Sequence, residues 1–147
     1  MKTILVPLDL SAASRRVCDV AVDFAKARNA RLVLLNVVEP PPVRLRAYGF
    51  AATLIHGMQG ELEKRAASEL LALGRHCRAR RVSVRTEQIT GRSVATIVSL
   101  ARRLKVDSIV LGSHGHGAAF DLLVGSTAQG VLRATSCPVL IVPVGPR

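Results

Sequence analysis

A chain of 147 residues that is 49% hydrophobic has the length of one domain and enough apolar material for a core, which excludes a disordered protein. Three Phe, one Tyr and no Trp leave Val, Leu, Ile and Ala to build that core, as suits a parallel sheet buried under helices. The net charge of +11 favours polyanions, nucleotides among them. Its arginines are nevertheless spread along the chain, and the one dense cluster (Arg75, Arg78, Arg80, Arg81, Arg85) has no interleaved aromatics, so nucleic acid is not expected as the main partner.

In chain order, Thr3 to Leu8 reads as a buried strand ending at Asp9. Ser11 or Ser14 is placed to cap a helix whose Val17, Val20, Ala21 and Phe24 follow the 3.6-residue period. Arg31 to Val38 is a second strand, closed by Glu39-Pro40-Pro41-Pro42, and residues 39 to about 57 read as one long irregular segment. The second helix follows, with Leu62, Ala66, Leu70, Leu73 and Cys77 as its apolar stripe and Glu61 placed to pair with Arg65. Val82 to Ile89 alternates apolar and polar residues, as an edge strand with one wet face does. Gly91 opens a third helical unit with the stripe Val94, Ile97, Val98, Ala101 and Leu104, and Val106 to Leu111 is the fourth strand. Ala128 to Thr135 is a fourth helix, and Val139-Leu140-Ile141-Val142 a fifth strand after Cys137-Pro138.

Cys18, Cys77 and Cys137 lie far apart, without metal or CxxC spacing, and each sits in or beside an apolar pattern; buried free thiols in a reducing cytoplasm are expected. Pro7 and Asp9 cut the first apolar run too short for a signal peptide, and no run approaches the roughly 18 residues of a membrane span. A cytoplasmic protein, one domain over residues 1–147, is expected.

Strands alternating with helices imply an α/β fold, a doubly wound five-stranded parallel sheet with helices on both faces, Rossmann-like in its winding. Right-handed crossovers give the order 3-2-1-4-5, so the winding reverses between strands one and four. Ligands bind beyond the carboxyl ends of strands at such a reversal, here Leu8-Asp9 and Leu111-Gly112.

The same place carries a motif. Gly112-Ser113-His114-Gly115 follows the fourth strand, and nine residues later comes Gly125-Ser126-Thr127 at a helix start. Glycine admits close approach of the main chain to an anion and positive φ, while the helix start offers unpaired N–H groups and the positive end of its dipole. The spacing G-x2-G-x9-G-[ST] is neither a Walker A loop nor a dinucleotide fingerprint. Asp9 has two competing roles, holding Mg²⁺ through water or capping the strand–helix turn. His114 and His116 lack a third ligand for zinc and read as loop histidines beside phosphate.

Over essentially its full length the chain resembles the universal stress protein family. Ile4-Leu5-Val6-Pro7-Leu8-Asp9-Leu10-Ser11 is similar to that family's first strand and acidic end, and Leu34-Leu35-Asn36-Val37-Val38-Glu39 to its second, where many members carry His in place of Asn36. Gly112 to Gly115 through Gly125-Ser126, ending in Cys137 to Val142, resembles the signature of its ATP-binding members. The resemblance implies that Pro7, Leu8 and Asp9 lie by the adenosine and that Val37 touches adenine. Gly112, Ser113, His114, Gly115, His116 and Gly117 would wrap ribose and phosphates, and Ser126 and Thr127 would bind phosphate oxygens. His116 stands where many members have Arg or Lys, which weakens the expected γ-phosphate contact and makes it pH-sensitive.

The expected function is that of an ATP- or ADP-binding regulatory protein, with Mg²⁺, whose nucleotide state a protein partner reads. Two alternatives stand beside it: a slow ATPase or phosphoryl-transfer enzyme, for which the loop offers no Lys and only Asp9, His114 and His116, and a basic scaffold that binds nucleic acid without nucleotide. No catalytic residue is assigned. Val139, Leu140, Ile141 and Val142 form an edge strand with no charged gatekeeper, so pairing with a second copy about a two-fold axis is expected, as is common in the family, and Pro143 limits that ladder.

Overall fold

Successive residues of the first strand face opposite layers, which sets the architecture. Ile4 and Val6 face one apolar cluster, whereas Leu5 faces another. The computed structural model describes residues 1–41, 49–114 and 124–144, with Phe50 and Ala51 as backbone alone. Along the chain run β1 (Lys2–Pro7), α1 (Ser14–Arg28), β2 (Ala30–Val38), α2 (Gly49–Ala79), β3 (Val84–Thr90), α3 (Ser93–Arg103), β4 (Ser108–Gly112), α4 (Ser126–Ala134) and β5 (Val139–Val142). The strands form one parallel sheet ordered β3-β2-β1-β4-β5, as the winding argument requires.

The first cluster packs Val17, Cys18, Ala21 and Val22 of α1 and Leu70 and Cys77 of α2 on Ile4, Val6, Leu32 and Leu34. The second packs Ile97, Leu100 and Ala101 of α3 and Ala128 and Val131 of α4 on Leu5, Val33, Leu35, Ile109 and Leu111. Because β1, β2 and β4 are covered on both faces, their runs are continuously apolar, which is why periodicity alone does not show which residue faces which layer.

Several expectations are corrected. Neither Ser11 nor Ser14 caps α1: Ala13 is the cap residue, without a side-chain bond, and Ser14 is already helical and 3% exposed. The irregular segment is shorter than expected, since the helix begins at Gly49; residues 42–48 lie outside the described residues. Gly57 and Gly60 obscured this helical turn, although each stands where a side chain would meet nothing within 4 Å, so their cost there is only propensity. At 31 residues α2 is about 46 Å long, against about 30 Å for the nine-residue β2, so it overhangs the sheet. Leu62 is consequently 63% exposed rather than part of the buried stripe, and Glu61 pairs with Lys64 at 3.7 Å, not with Arg65. Strand β3 begins at Val84; Val82 is buried in the preceding turn, where Arg81 adopts left-handed φ. Helix α3 begins at Ser93, because Gly91 still bonds its N–H to the Val38 carbonyl at the end of β2. Cys137 is half-buried, unlike Cys18 and Cys77.

Candidate functional site

The paired register of the central strands is short. Strands β1 and β4 pair at Ile4↔Ser108 and Leu5↔Ile109, and both continue beyond. The neighbouring β1–β2 ladder holds from Lys2↔Ala30 to Pro7↔Leu35. The crevice expected at the reversal between strands one and four thus falls where the ladder beside β1 is shortest.

On the β1 side the Leu8 N–H donates to the Leu35 carbonyl at 2.7 Å and holds the strand end flush with β2. The Leu8 carbonyl in turn accepts from Asn36 Nδ2 at 3.1 Å, and Asn36 Oδ1 accepts from Gln88 Nε2 at 3.2 Å. The same Gln88 amide donates to the Glu63 carbonyl on α2 at 3.2 Å. A polar chain thus runs under the crevice from β1 through β2 and β3 to α2. It keeps the amide of Asn36, 6% exposed, hydrogen-bonded within the sheet.

Asp9 is exposed and turns the chain: its Oδ1 accepts from the Ser11 N–H at 3.0 Å and from the Ser14 hydroxyl at 3.2 Å. These bonds close the turn between β1 and α1 without capping the helix, whose cap residue is Ala13. Leu10 beside it has φ of 60°, a left-handed conformation that costs a leucine on the order of 1 kcal/mol and that packing of its side chain on the first cluster offsets. Pro7 and Val37, at the ends of β1 and β2, are half-buried.

On the β4 side Ser113 is a hub. Its N–H donates to the Val142 carbonyl at 2.8 Å, its carbonyl accepts from Gly125 N–H at 2.6 Å, and its hydroxyl accepts from Val144 N–H at 3.1 Å. That hydroxyl also lies 3.0 Å from His114 Nδ1. Ser113 is 4% exposed; its backbone ties β4 to β5 and to the start of α4, while its hydroxyl holds the chain just after β5. Gly115, His116 and Gly117 lie outside the described residues.

Gly125, not Ser126, is the cap residue of α4, with φ −69° and ψ 166° and no side-chain cap bond. Neither it nor Gly112 has positive φ, so the expectation of left-handed glycines is corrected for both. What Gly112 provides is closeness: a Cβ there would lie 3.4 Å from both the His114 carbonyl and Val17 Cγ2. Ser126 and Thr127 are exposed in the first turn of α4, where a helix has N–H groups without intrahelical partners.

A groove of about 770 Å³ runs between α3 and α4, lined by Glu39, Arg92, Ser93, Ser126 and Thr127 at one end and by Arg102 and Ala134 at the other. The Glu39 carboxylate accepts from the Ser93 hydroxyl at 2.7 Å and its N–H at 3.2 Å, bonds that hold its pKa below the usual carboxylate value. Arg92 was missed in the sequence. It supplies a cation lining the same groove as Ser126 and Thr127, and the available signal was its position directly after the carboxyl end of β3, on the same edge of the parallel sheet as Gly112. Among the described residues no group of three or more His, Cys, Asp or Glu is arranged to hold a metal ion.

A family model described as the universal stress protein family matches residues 1–143. The chain belongs to the universal stress protein family. It is 35% identical over 144 residues to universal stress protein A homolog 1 of Coxiella burnetii, covering 96% of this chain and 95% of that one. The universal stress protein UspA from Lactobacillus plantarum superposes with a TM-score of 0.85 at 24% identity, over 96% of this chain and 97% of that one. A universal stress protein crystallised in complex with cAMP superposes with a TM-score of 0.72 at 24% identity, over 98% of both chains. These likenesses bear out the five-stranded parallel fold of this family. No helix among the described residues is long and apolar enough to cross a membrane.

Proposed function

We propose that the protein is a nucleotide-binding regulator, a single nucleotide-binding unit over residues 1–147 that takes ATP or ADP in the crevice between β1 and β4. One observation carries this assignment: the first turn of α4, where Gly125 makes no side-chain cap bond, opens on a groove that Arg92 also lines. A relative of the same fold was crystallised with cAMP, which supports an adenine nucleotide as the ligand class.

In this assignment Pro7, Leu8, Asp9 and Val37 receive the adenosine, and Gly112 with His114 and the Gly115-His116-Gly117 loop flanks ribose and phosphates. The N–H groups and hydroxyls of Ser126 and Thr127 bind phosphate oxygens, with Arg92 as the cation lining the same groove. Asp9 would hold Mg²⁺ through water, since Mg²⁺ keeps most of its waters, and the ion would offset phosphate charge. Nucleotide shifts the protein toward the conformation that binds it better, and a partner in the cytoplasm reads that state. Strand β5 lies at the sheet edge with Val139, Leu140 and Ile141 half-buried, and pairs with a second copy of the chain.

The test is calorimetric titration of Mg·ATP into Gly112→Ala/Gly125→Ala. Both backbones suit alanine, and the Gly112 Cβ makes contacts of 3.4 Å or more, so the variant folds. Binding is expected to be lost by obstruction of the phosphate path. Unchanged affinity in a folded double variant would refute the site.

A further inference from the structure

Cys18 and Cys77 are distant in sequence and adjacent in space. Both are 0% exposed, in the same apolar cluster, one on α1 and one on α2. The residues next to them clamp the two helices at that level. Asp19 Oδ1 lies 2.7 Å from His76 Nε2 and accepts from Arg80 Nη1 at 3.0 Å, while Arg80 Nη2 donates to Asp23 at 2.6 Å. The two thiols interact across the α1–α2 seam. This interaction, with burial, pushes the Cys18 thiol up. It favours the thiolate of Cys77 against burial and the Asp19 charge, with Arg80 and Arg78 adding to it, so the Cys77 pKa falls below the usual thiol value.

We propose that Cys18 and Cys77 are an oxidant-sensitive dithiol that closes to a disulfide across α1 and α2 when a peroxide reaches it. Going beyond nucleotide binding, the proposal stands whether or not the crevice takes ATP. The Cys77 thiolate attacks one peroxide oxygen, the O–O bond breaks, and hydroxide leaves, giving a sulfenic acid. The Cys18 sulfur then attacks the sulfenic sulfur, the S–S bond forms and the S–O bond breaks. The Cys18 proton and the proton first lost from Cys77 go to the two hydroxides. In sum two thiols and one hydrogen peroxide give one disulfide and two waters, each sulfur losing one electron. Peroxide is about the size of water and enters by local opening of the α1–α2 seam, so the reaction is slow and tracks that opening.

Cys137 provides the internal contrast. It is half-buried, bonded locally to Thr135 Oγ1 at 3.2 Å, and distant from the pair. The experiment treats full-length Cys137→Ser with excess hydrogen peroxide, with intact-mass measurement, peptide mapping and thermal melts, before and after dithiothreitol. The expected result is a monomer that has lost two hydrogens, a mapped Cys18–Cys77 peptide, and a melting temperature raised by roughly 5 °C, all reversed by the reductant. Cys18→Ala and Cys77→Ala on that background show no such rise; the main readout does not depend on their folding, since it is made with both thiols present. A map in which the folded protein keeps both thiols, or carries sulfinic acid on either without the linked peptide, would overturn the proposal.

Discussion

Three glycines on helices present the same substitution in opposite surroundings. A Cβ on Gly57 or Gly60 would meet nothing within 4 Å, whereas on Gly130 it would lie 2.7 Å from Val94 Cγ2 and 3.2 Å from its Cγ1. Alanine gains about 0.5–1 kcal/mol over glycine in a helix, so Gly57→Ala and Gly60→Ala should each stabilise by that amount. At Gly130 the same gain meets an overpacked contact costing about 1–3 kcal/mol. Val94 does not turn aside cheaply, because a valine on a helix has one strongly preferred rotamer. The net expectation for Gly130→Ala is a loss of about 1 kcal/mol, a fall in melting temperature of about 2–4 °C. Urea unfolding of the singles and of Val94→Ala/Gly130→Ala forms a double-mutant cycle, in which removing the valine methyls should restore the alanine gain with a coupling of about 1–2 kcal/mol. Equal stabilisation by Gly130→Ala and Gly57→Ala, with no coupling to Val94, would show that α3 and α4 do not touch there. The contact matters because both helices wall the groove beside Ser126.

Arg92→Ala should weaken Mg·ATP binding about 5–10-fold and reduce its salt dependence, since a charge-assisted contact is lost at a partly solvated site; titration at two ionic strengths checks this. At acid pH, Asp19 and Glu39 both contribute. Burial alone would raise Asp19, but its bonds to His76 and Arg80 outweigh that, and Ser93 lowers Glu39. Both folded pKa values lie below their unfolded ones, so this stability is full above the unfolded carboxylate pKa, about 4, and is lost as pH falls through the folded values. Urea midpoints of Asp19→Asn and Glu39→Gln should accordingly vary less with pH below about 4.5 than those of the parent. Ile141→Lys places a charge on the uncovered edge strand and should give a monomer in sedimentation where the parent is a dimer; a monomeric parent at micromolar concentration would refute the β5 pairing.

Patterns that repeat within a few residues were legible in the chain. Val139–Val142 is the fifth strand as read, because a short apolar run between prolines has no other stable use. The order of all five strands follows from right-handed crossovers between parallel neighbours. The beginning of α2 was hidden by Gly57 and Gly60, whose low helix propensity in a solvated stretch outweighs any periodic signal.

Sequence alone determined the fold class, the strand order and the placement of Asp9 and Gly112 at the carboxyl ends of β1 and β4, since alternation and chirality are local or topological properties of the chain. Tertiary structure decided which distant groups meet: Cys18 with Cys77, Asn36 with Gln88, and Val94 with Gly130. Those partnerships depend on how two layers of helices seat on a twisted sheet, and no spacing along a single chain encodes the rotation of one helix against its neighbour.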